Sequence, residues 1–178
     1  MNNNKVLILG SGLSVGQASE LDVSNFTLLT INNAWQAVDH WDYLIYPDDF
    51  TNLPHSLKAH QSIITSASYG PYIDLYGGER ETGNTMIFNA SYWAIHHLQA
   101  KLIAYLGCDM HYPTQGNNTF YGRGTPDPLR LGAANLRRYF AKLEQVAFIH
   151  QCRLYNVSRD TPTRLPFKRV RWQDLGNK

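Results

Sequence analysis

The feature that most constrains the fold is the segment 5–16, in which an apolar run leads into a glycine turn. Residues 6–9 are all apolar, which is typical of a strand buried on both faces of a parallel sheet. Gly10-Ser-Gly12 then predicts a sharp turn, and a helix is predicted to begin at Ser14. Free backbone N–H groups and the positive end of a helix dipole converge in such a turn, where anions bind. The segment therefore predicts an α/β fold with a candidate phosphate-binding corner.

The spacing of the glycines disfavours the two best-known nucleotide motifs. Gly10, Gly12 and Gly16 give G-x-G-x-x-x-G rather than the dinucleotide pattern G-x-G-x-x-G. A dinucleotide site would also have an acidic residue at the end of the second strand to bind the ribose, but Asn32-Asn33 stands there. No Gly-Lys-Ser or Gly-Lys-Thr follows the turn, so a P-loop is not predicted. A glycine turn that only reverses the chain is the alternative to a nucleotide site.

Composition predicts one ordinary globular domain. A chain of 178 residues is long enough for a real core, and 43% hydrophobic with 17% charged residues excludes a disordered protein. No apolar run approaches the ~20 residues of a membrane span, and the first strand follows residue 4 without a signal peptide. We therefore expect a cytoplasmic protein in which Cys108 and Cys152 are buried free thiols. The net charge of +2 does not predict a nucleic-acid partner, and a homo-oligomer is left open.

Hydrophobic periodicity predicts alternating strands and helices. The predicted strands are 5–10, 27–32, 43–47, 62–66, 102–107 and 153–157, and the predicted helices are 14–21, 33–39, 55–60, 84–99 and 130–150. This alternation is typical of a Rossmann-like, mostly parallel sheet with helices on both faces. We expect one nucleotide-binding domain over 1–158 and a basic tail over 159–178, which is either solvated or in contact with an anionic partner or a substrate phosphate.

Two stretches, 67–82 and 110–129, are predicted to be irregular. The second is long for a loop in a compact domain, which favours a functional loop or disorder. Because disordered segments seldom hold so many aromatic residues, we interpret 110–129 as a candidate lid that closes over a ligand.

Polar residues collect where the predicted strands end, whereas the strand interiors are apolar. In an open parallel sheet, ligands bind beyond the carboxyl ends of the strands, near the point where strand order reverses. The polar and glycine residues placed there, with the turn before helix 84–99, are Gly10, Ser11, Gly12, Ser14, Asn32, Asn33, Asp48, Asp49, Thr82, Gly83, Asn84, Gly107, Cys108, Asp109 and His111.

Taken in order, these strand ends resemble the bacterial sialyltransferases of glycosyltransferase family 42, which use CMP-sialic acid, and the related archaeal pterin-diphosphokinase-like proteins. The matching segments are Gly10-Ser-Gly12-Leu-Ser14, Asn32 or Asn33, Tyr46-Pro-Asp48, Glu81-Thr82-Gly83 with Asn84, Gly107-Cys-Asp109 and the late strand with Leu154-Tyr155. Leu13 stands where the family has proline, and the family's general-base histidine has no clear counterpart.

The resemblance implies a nucleotide site in the Rossmann-like domain. The residues it would place there are Gly10, Gly12, Ser14, Asn32, Asn33, Asp48, Thr82, Gly83, Asn84 and Asp109. It also implies sugar transfer from a CMP-sugar donor, with the nucleotide-sugar as substrate and no separate cofactor.

Four residues of the loop 110–129 are candidates for chemistry. His111 suits the role of general base at neutral pH, while Asp127 is either the base instead or the N-cap of helix 130–150. Tyr121 and Arg123 are placed to stabilise a departing phosphate.

Asp109 and His111 also have the spacing of a metal-ligand pair, with Asp48 or Asp49 as a third ligand. We favour the alternative in which Asp109 accepts hydrogen bonds from the glycine turn, because no spacing fixes the third ligand. Two other functions are left open: a nucleotide-binding module without turnover, and a diphosphokinase in which Mg²⁺ bridges ATP to Asp48 and Asp109.

Overall fold

The computed structural model describes residues 4–75, 85–124 and 133–175. Its single sheet contains all the predicted strands: β1 (Lys5–Leu9), β2 (Thr27–Ile31), β3 (Tyr43–Ile45), β4 (Ser62–Ile64), β5 (Leu102–Leu106) and β6 (Arg153–Asn156). The strands lie in the order β4-β3-β2-β1-β5-β6, and every neighbouring pair is parallel. The predicted Rossmann-like α/β fold is confirmed.

The helices agree with the sequence less closely than the strands do. The α-helices are α1 (Ser66–Leu75), α2 (Ile87–His96) and α3 (Ala133–Ile149), and 3₁₀ helices cover Leu13–Glu20, Asn32–Ala37 and Trp172–Asp174. The described parts of the predicted helices 84–99 and 130–150 correspond to α2 and α3. The predicted helices 14–21 and 33–39 form as 3₁₀ helices. Among the described residues, none of these helices is long and apolar enough to cross a membrane.

Two helix predictions were wrong. The segment 55–60 forms no helix, because all its residues are exposed and it has no apolar face to bury. Conversely, α1 begins at Ser66 and covers the described part of the stretch 67–82 that was predicted to be irregular, although it contains Gly70 and Pro71. Tyr69 and Ile73, one turn apart, are both buried, so packing of this face stabilises a helix that local propensity disfavours.

The sheet is covered on both faces, which explains the continuous apolar run in β1. Val6 and Ile8 belong to one hydrophobic cluster and Leu7 and Leu9 to a second, because successive side chains of a strand point to opposite faces. The first cluster includes α2, whose residues from Ile87 to Ile95 are all buried.

The segment after β6 packs along the edge of the sheet. Asn156 donates its N–H to the carbonyl of Lys168 at 3.0 Å and accepts from the N–H of Val170 at 2.9 Å. Three apolar residues of the segment, Leu165, Phe167 and Leu175, are buried in the core. Its basic side chains are exposed: Arg159, Arg164, Lys168, Arg169 and Arg171.

Both cysteines are free and buried, as the sequence predicts. Burial raises the pKa of the Cys152 thiol to about 12, and it raises that of Cys108 further. Neither thiol is therefore a ready nucleophile.

Candidate functional site

A cavity of about 640 Å³ lies beyond the carboxyl ends of the strands. Within the sheet, β2, β3 and β4 follow one another on one side of β1. The next strand along the chain, β5, lies on the other side of β1. The strand order therefore reverses between β1 and β5. The segments that follow these two strands both line the cavity, so it occupies the position where ligands bind in open α/β sheets.

The structure brings six of the predicted site residues together in the cavity wall: Gly10, Gly12, Asn32, Asn33, His111 and Tyr121. Ser14 and Asp109 are buried and do not line the cavity.

Asp48 is exposed, and its neighbour Asp49 lines the cavity instead. Arg123 is also exposed and donates to the carbonyl of Thr114 at 3.3 Å. Four further predictions lie outside the described residues: Thr82, Gly83, Asn84 and Asp127.

The glycine turn is joined to the turn after β5 by a buried network. Ser14 donates its N–H to Oδ2 of Asp109 at 2.9 Å and its hydroxyl to Oδ1 at 2.5 Å. The N–H of Gly107 donates to Oγ of Ser14 at 2.8 Å, and the N–H of Gly12 donates to the carbonyl of Gly107 at 2.7 Å. Asp109 thus has the role that we favoured from the sequence.

Opposing effects act on the pKa of the carboxyl of Asp109, a residue that is 3% exposed. Burial raises its pKa from the ordinary value, while the hydrogen bonds from Ser14 and the nearby charges of His111 and Arg169 act to lower it. Both carboxyl oxygens accept hydrogen bonds from Ser14, and Asp109 does not line the cavity.

Gly12 is required by the contact between the two turns. Its φ of −67° and ψ of 165° are accessible to any residue. An added Cβ, however, would lie 2.5 Å from Oδ2 of Asp109 and 2.7 Å from the carbonyl oxygen of Gly107. The close approach at Gly12 is therefore made by the protein's own backbone and carboxylate.

Three residues in the left-handed region border the cavity: Asn32 with φ 51°, Gly107 with φ 69° and Met110 with φ 49°. For a non-glycine residue this conformation is uncommon, and sparsely populated backbone conformations cost about 1–3 kcal/mol each. Such strain is concentrated at functional sites, where the surrounding structure holds it in place. Asn32 and Met110 have this conformation at the cavity, and Gln99, Gln151 and Asp160 have it elsewhere in the described part of the chain.

Asn32 presents an unsatisfied polar atom. Its Oδ1 is buried and has no hydrogen-bond partner within the described part of the chain. The Oδ1 of Asn33 instead accepts from Nδ2 of Asn52 at 2.6 Å and from Nε2 of Gln36 at 3.2 Å. The sequence could not separate the two asparagines. In the structure, Asn32 is the one whose side-chain oxygen has no partner among the described residues.

The opposite wall contains residues that the sequence reasoning missed. Tyr69 of α1 and Asn89 of α2 both line the cavity and are 6% and 4% exposed. Burial, followed by the charge of Asp48, raises the pKa of the Tyr69 phenol, and the hydrogen bond with the Asn89 side chain lowers it. The sequence signal for this wall was a polar asparagine among the apolar residues at the start of α2.

The described part of the candidate lid is anchored to the glycine turn. Phe120 donates its N–H to the carbonyl of Ser11 at 3.1 Å, and Asn118 and Thr119 are buried. Oδ1 of Asn118 accepts the N–H of Gly124 at 2.7 Å. This anchored stretch, 118–124, places Tyr121 in the cavity wall; closure over a ligand stays a prediction.

Within the ranges 4–75, 85–124 and 133–175, no three side chains of His, Cys, Asp or Glu form a group that could hold a metal ion. The cavity wall combines amides, hydroxyls, one imidazole, one carboxylate and aromatic rings. This set can hydrogen-bond to a polar organic ligand and stack on its planar parts.

Comparison of the chain with protein-family models, with curated proteins and with solved structures gave no match.

Proposed function

We propose that this protein binds a nucleotide or nucleotide-sugar in the cavity at the strand-order reversal and transfers the sugar without a metal ion. The observation that carries the proposal is Asn32, whose buried Oδ1 lacks a partner among the described residues and whose backbone is left-handed. An unpaired buried oxygen costs about 1–3 kcal/mol, so a ligand N–H or O–H that reaches it gains that much in binding. Bases and riboses carry such donors.

The size and lining of the cavity support a ligand of this class. Its volume of about 640 Å³ falls within the ~300–1,000 Å³ of small-molecule sites. Phe50, Tyr69, Tyr112 and Tyr121 supply rings for a base or sugar, next to the amides of Asn32 and Asn89. The resemblance of the strand ends to glycosyltransferase family 42 makes a CMP-sugar the candidate donor.

His111 is the candidate general base for this reaction. It is exposed and lines the cavity, and histidine is the side chain best suited to take a proton from a sugar hydroxyl near neutral pH. In the proposed transfer, the acceptor hydroxyl oxygen bonds to the anomeric carbon, the bond from that carbon to the phosphate oxygen breaks, and the proton passes to His111. Tyr121 is placed to donate a hydrogen bond to the departing phosphate.

A ligand screen tests the binding step. Thermal unfolding is followed with CMP, CMP-sugars, UDP-sugars, ATP and NAD, each with and without Mg²⁺. A ligand at ~100 times its Kd adds about 2.7 kcal/mol to the free energy of unfolding, which such a screen detects. Stabilisation by CMP or a CMP-sugar without Mg²⁺ supports the proposal, whereas stabilisation only by ATP with Mg²⁺ favours the diphosphokinase. No stabilisation by any nucleotide contradicts both.

The Asn32→Gly substitution is expected to weaken binding of the nucleotide found in that screen by about 1–3 kcal/mol, because the ligand donor loses its acceptor. Glycine is chosen because it accepts the φ of 51° without strain, so the fold should be at least as stable as the wild type. Titration calorimetry measures the affinity and urea unfolding the stability. The matched control is Asn33→Ala, whose side-chain oxygen bonds within the protein. Equal affinities for Asn32→Gly and wild type would remove Asn32 from the site.

The His111→Ala substitution is expected to abolish sugar transfer while nucleotide affinity stays within about threefold of the wild type. The measurement pairs single-turnover release of CMP with titration calorimetry. Unchanged turnover in His111→Ala would assign the base to another residue. A wild-type protein that binds nucleotide without releasing CMP from a CMP-sugar would be a binding module.

A further inference from the structure

The anion-binding corner predicted at the glycine turn is already occupied by a carboxyl group of the protein. The amide of Ser14 lies in the first turn of the 3₁₀ helix Leu13–Glu20, where a phosphate oxygen would be expected, and it donates to the carboxylate of Asp109. The hydroxyl of Ser14 donates to the second carboxylate oxygen. The N–H of Gly12 also has a partner within the protein, because it donates a hydrogen bond to the carbonyl of Gly107.

We propose that Asp109 is a specificity-determining residue: its buried carboxylate excludes a ligand phosphate from the glycine turn. The cavity then selects ligands through contacts to the nucleoside and sugar, and phosphate charge adds little affinity at this corner. The part that concerns nucleotides rests on the proposed function, whereas the exclusion of phosphate does not.

Electrostatics supports this exclusion. A phosphate oxygen at the Ser14 amide would displace a carboxylate oxygen that is bonded at 2.9 Å, and two like charges would be left side by side in a poorly solvated corner. The carboxylate also has little room to withdraw. It is 3% exposed, and both of its oxygens accept hydrogen bonds from Ser14.

The remaining groups at the cavity surface suit a neutral, hydrogen-bonding ligand part. Asn32 contributes an oxygen that has no partner among the described residues, and the wall opposite contributes Asn89 and Tyr69, whose side chains hydrogen-bond to each other. Among the described lining residues, Asp49 is the one carboxylate and none is a lysine or an arginine. A nucleoside with a single phosphate ester fits this charge pattern better than a triphosphate does.

Inorganic phosphate is the probe that tests the exclusion itself. The variants are Asp109→Asn, which removes the charge and retains the shape, and Asp109→Ser, which removes the charge and opens space. Ser14→Ala is the matched control, since it breaks the same network but leaves the carboxylate in place. Phosphate is titrated against chloride at equal ionic strength. In the wild type and in each variant, the measurement is the NMR resonance of the backbone amide at sequence position 14.

In the wild type and in Ser14→Ala, phosphate should leave this amide resonance unchanged. In the Asp109 variants it should produce a saturable shift, with affinity at least about tenfold above any wild-type binding. A saturable shift in the wild type would overturn the proposal, as would folded Asp109 variants that gain no phosphate binding. If neither Asp109 variant folds, the wild-type titration alone decides.

A nucleotide titration then separates this inference from the proposed function. For the wild type, CMP and cytidine should bind with affinities within about threefold of each other, and Asp109→Asn should tighten CMP but not cytidine. Wild-type CMP binding more than about a hundredfold tighter than cytidine binding would overturn the inference and leave the proposed function standing. Binding of neither compound would contradict the proposed function, and the phosphate experiment would still decide the role of Asp109.

Discussion

Replacing Phe167 by alanine is expected to destabilise the protein by about 3–5 kcal/mol, the usual cost of emptying a buried aromatic site. Phe167 lies in the segment that the sequence marks as a basic tail, yet it is 7% exposed. Its ring stacks on Tyr105 at a centroid distance of 5.1 Å and meets Phe140 edge-on at 5.4 Å. The loss should appear as a lower urea midpoint with an unchanged m-value.

Phe148 of α3 provides the matched control, because the same residue type is 83% exposed there. Phe148→Ala should change the free energy of unfolding by no more than about 0.5 kcal/mol. Similar losses for the two variants would show that the segment after β6 does not contribute to the core as described.

The second large effect is expected at Gly12. Gly12→Ala should destabilise the protein by about 1–3 kcal/mol, because the new Cβ would meet the Gly107 backbone at 2.7 Å as well as the Asp109 carboxylate. Backbone atoms cannot move aside as the end of a flexible side chain can, so the two turns would have to separate. The loss should be visible in urea unfolding without any ligand present.

Gly16, four residues further on, is the internal comparison for Gly12. An added Cβ there meets nothing within 4 Å, and the residue is exposed. Gly16→Ala should therefore be neutral or stabilising by up to about 1 kcal/mol, since alanine has less conformational freedom in the unfolded chain. Equal stability of the Gly12 and Gly16 variants would contradict the packing described for the turn.

The strands were predictable from the sequence because most contain a short apolar run bounded by polar residues or glycine, β6 being the least apolar. The six predicted strands all form, with ends within two residues of those predicted. Their parallel pairing followed from alternation with helices, since parallel strands need long crossover connections.

The helix α1 was not predictable by the same means. Gly70 and Pro71 are local signals against a helix, and they are outweighed by burial of Tyr69 and Ile73, which depends on contacts distant in sequence. Tyr69 was missed as a site residue for the same reason. The roles of Asn32 and its neighbour were indistinguishable until the contacts of the second asparagine were known.

The phosphate corner shows another limit of sequence reasoning. A glycine turn followed by a helix indicates where an anion belongs, but not whether the anion comes from a ligand or from the chain. Here a residue 95 positions away from Ser14 supplies the carboxylate. The sequence did carry a hint of this, because Asp109 follows β5 closely and β5 was expected beside the other parallel strands.

The same long separation has a consequence for biosynthesis. The β1 turn is translated before Asp109, whose carboxyl accepts from the Ser14 amide, and Arg164, which donates its N–H to the carbonyl of Asp109 at 2.9 Å, is translated later still. At ~5–20 residues per second, the delay until Arg164 is made is roughly 10–30 s. A nascent chain stalled before Arg164 would contain every strand of the sheet, but the hydrogen bond from Arg164 to the carbonyl of Asp109 could not yet form. The hydrogen bonds that complete this corner therefore join the turn after β1 to the turn after β5, and that turn to the segment after β6.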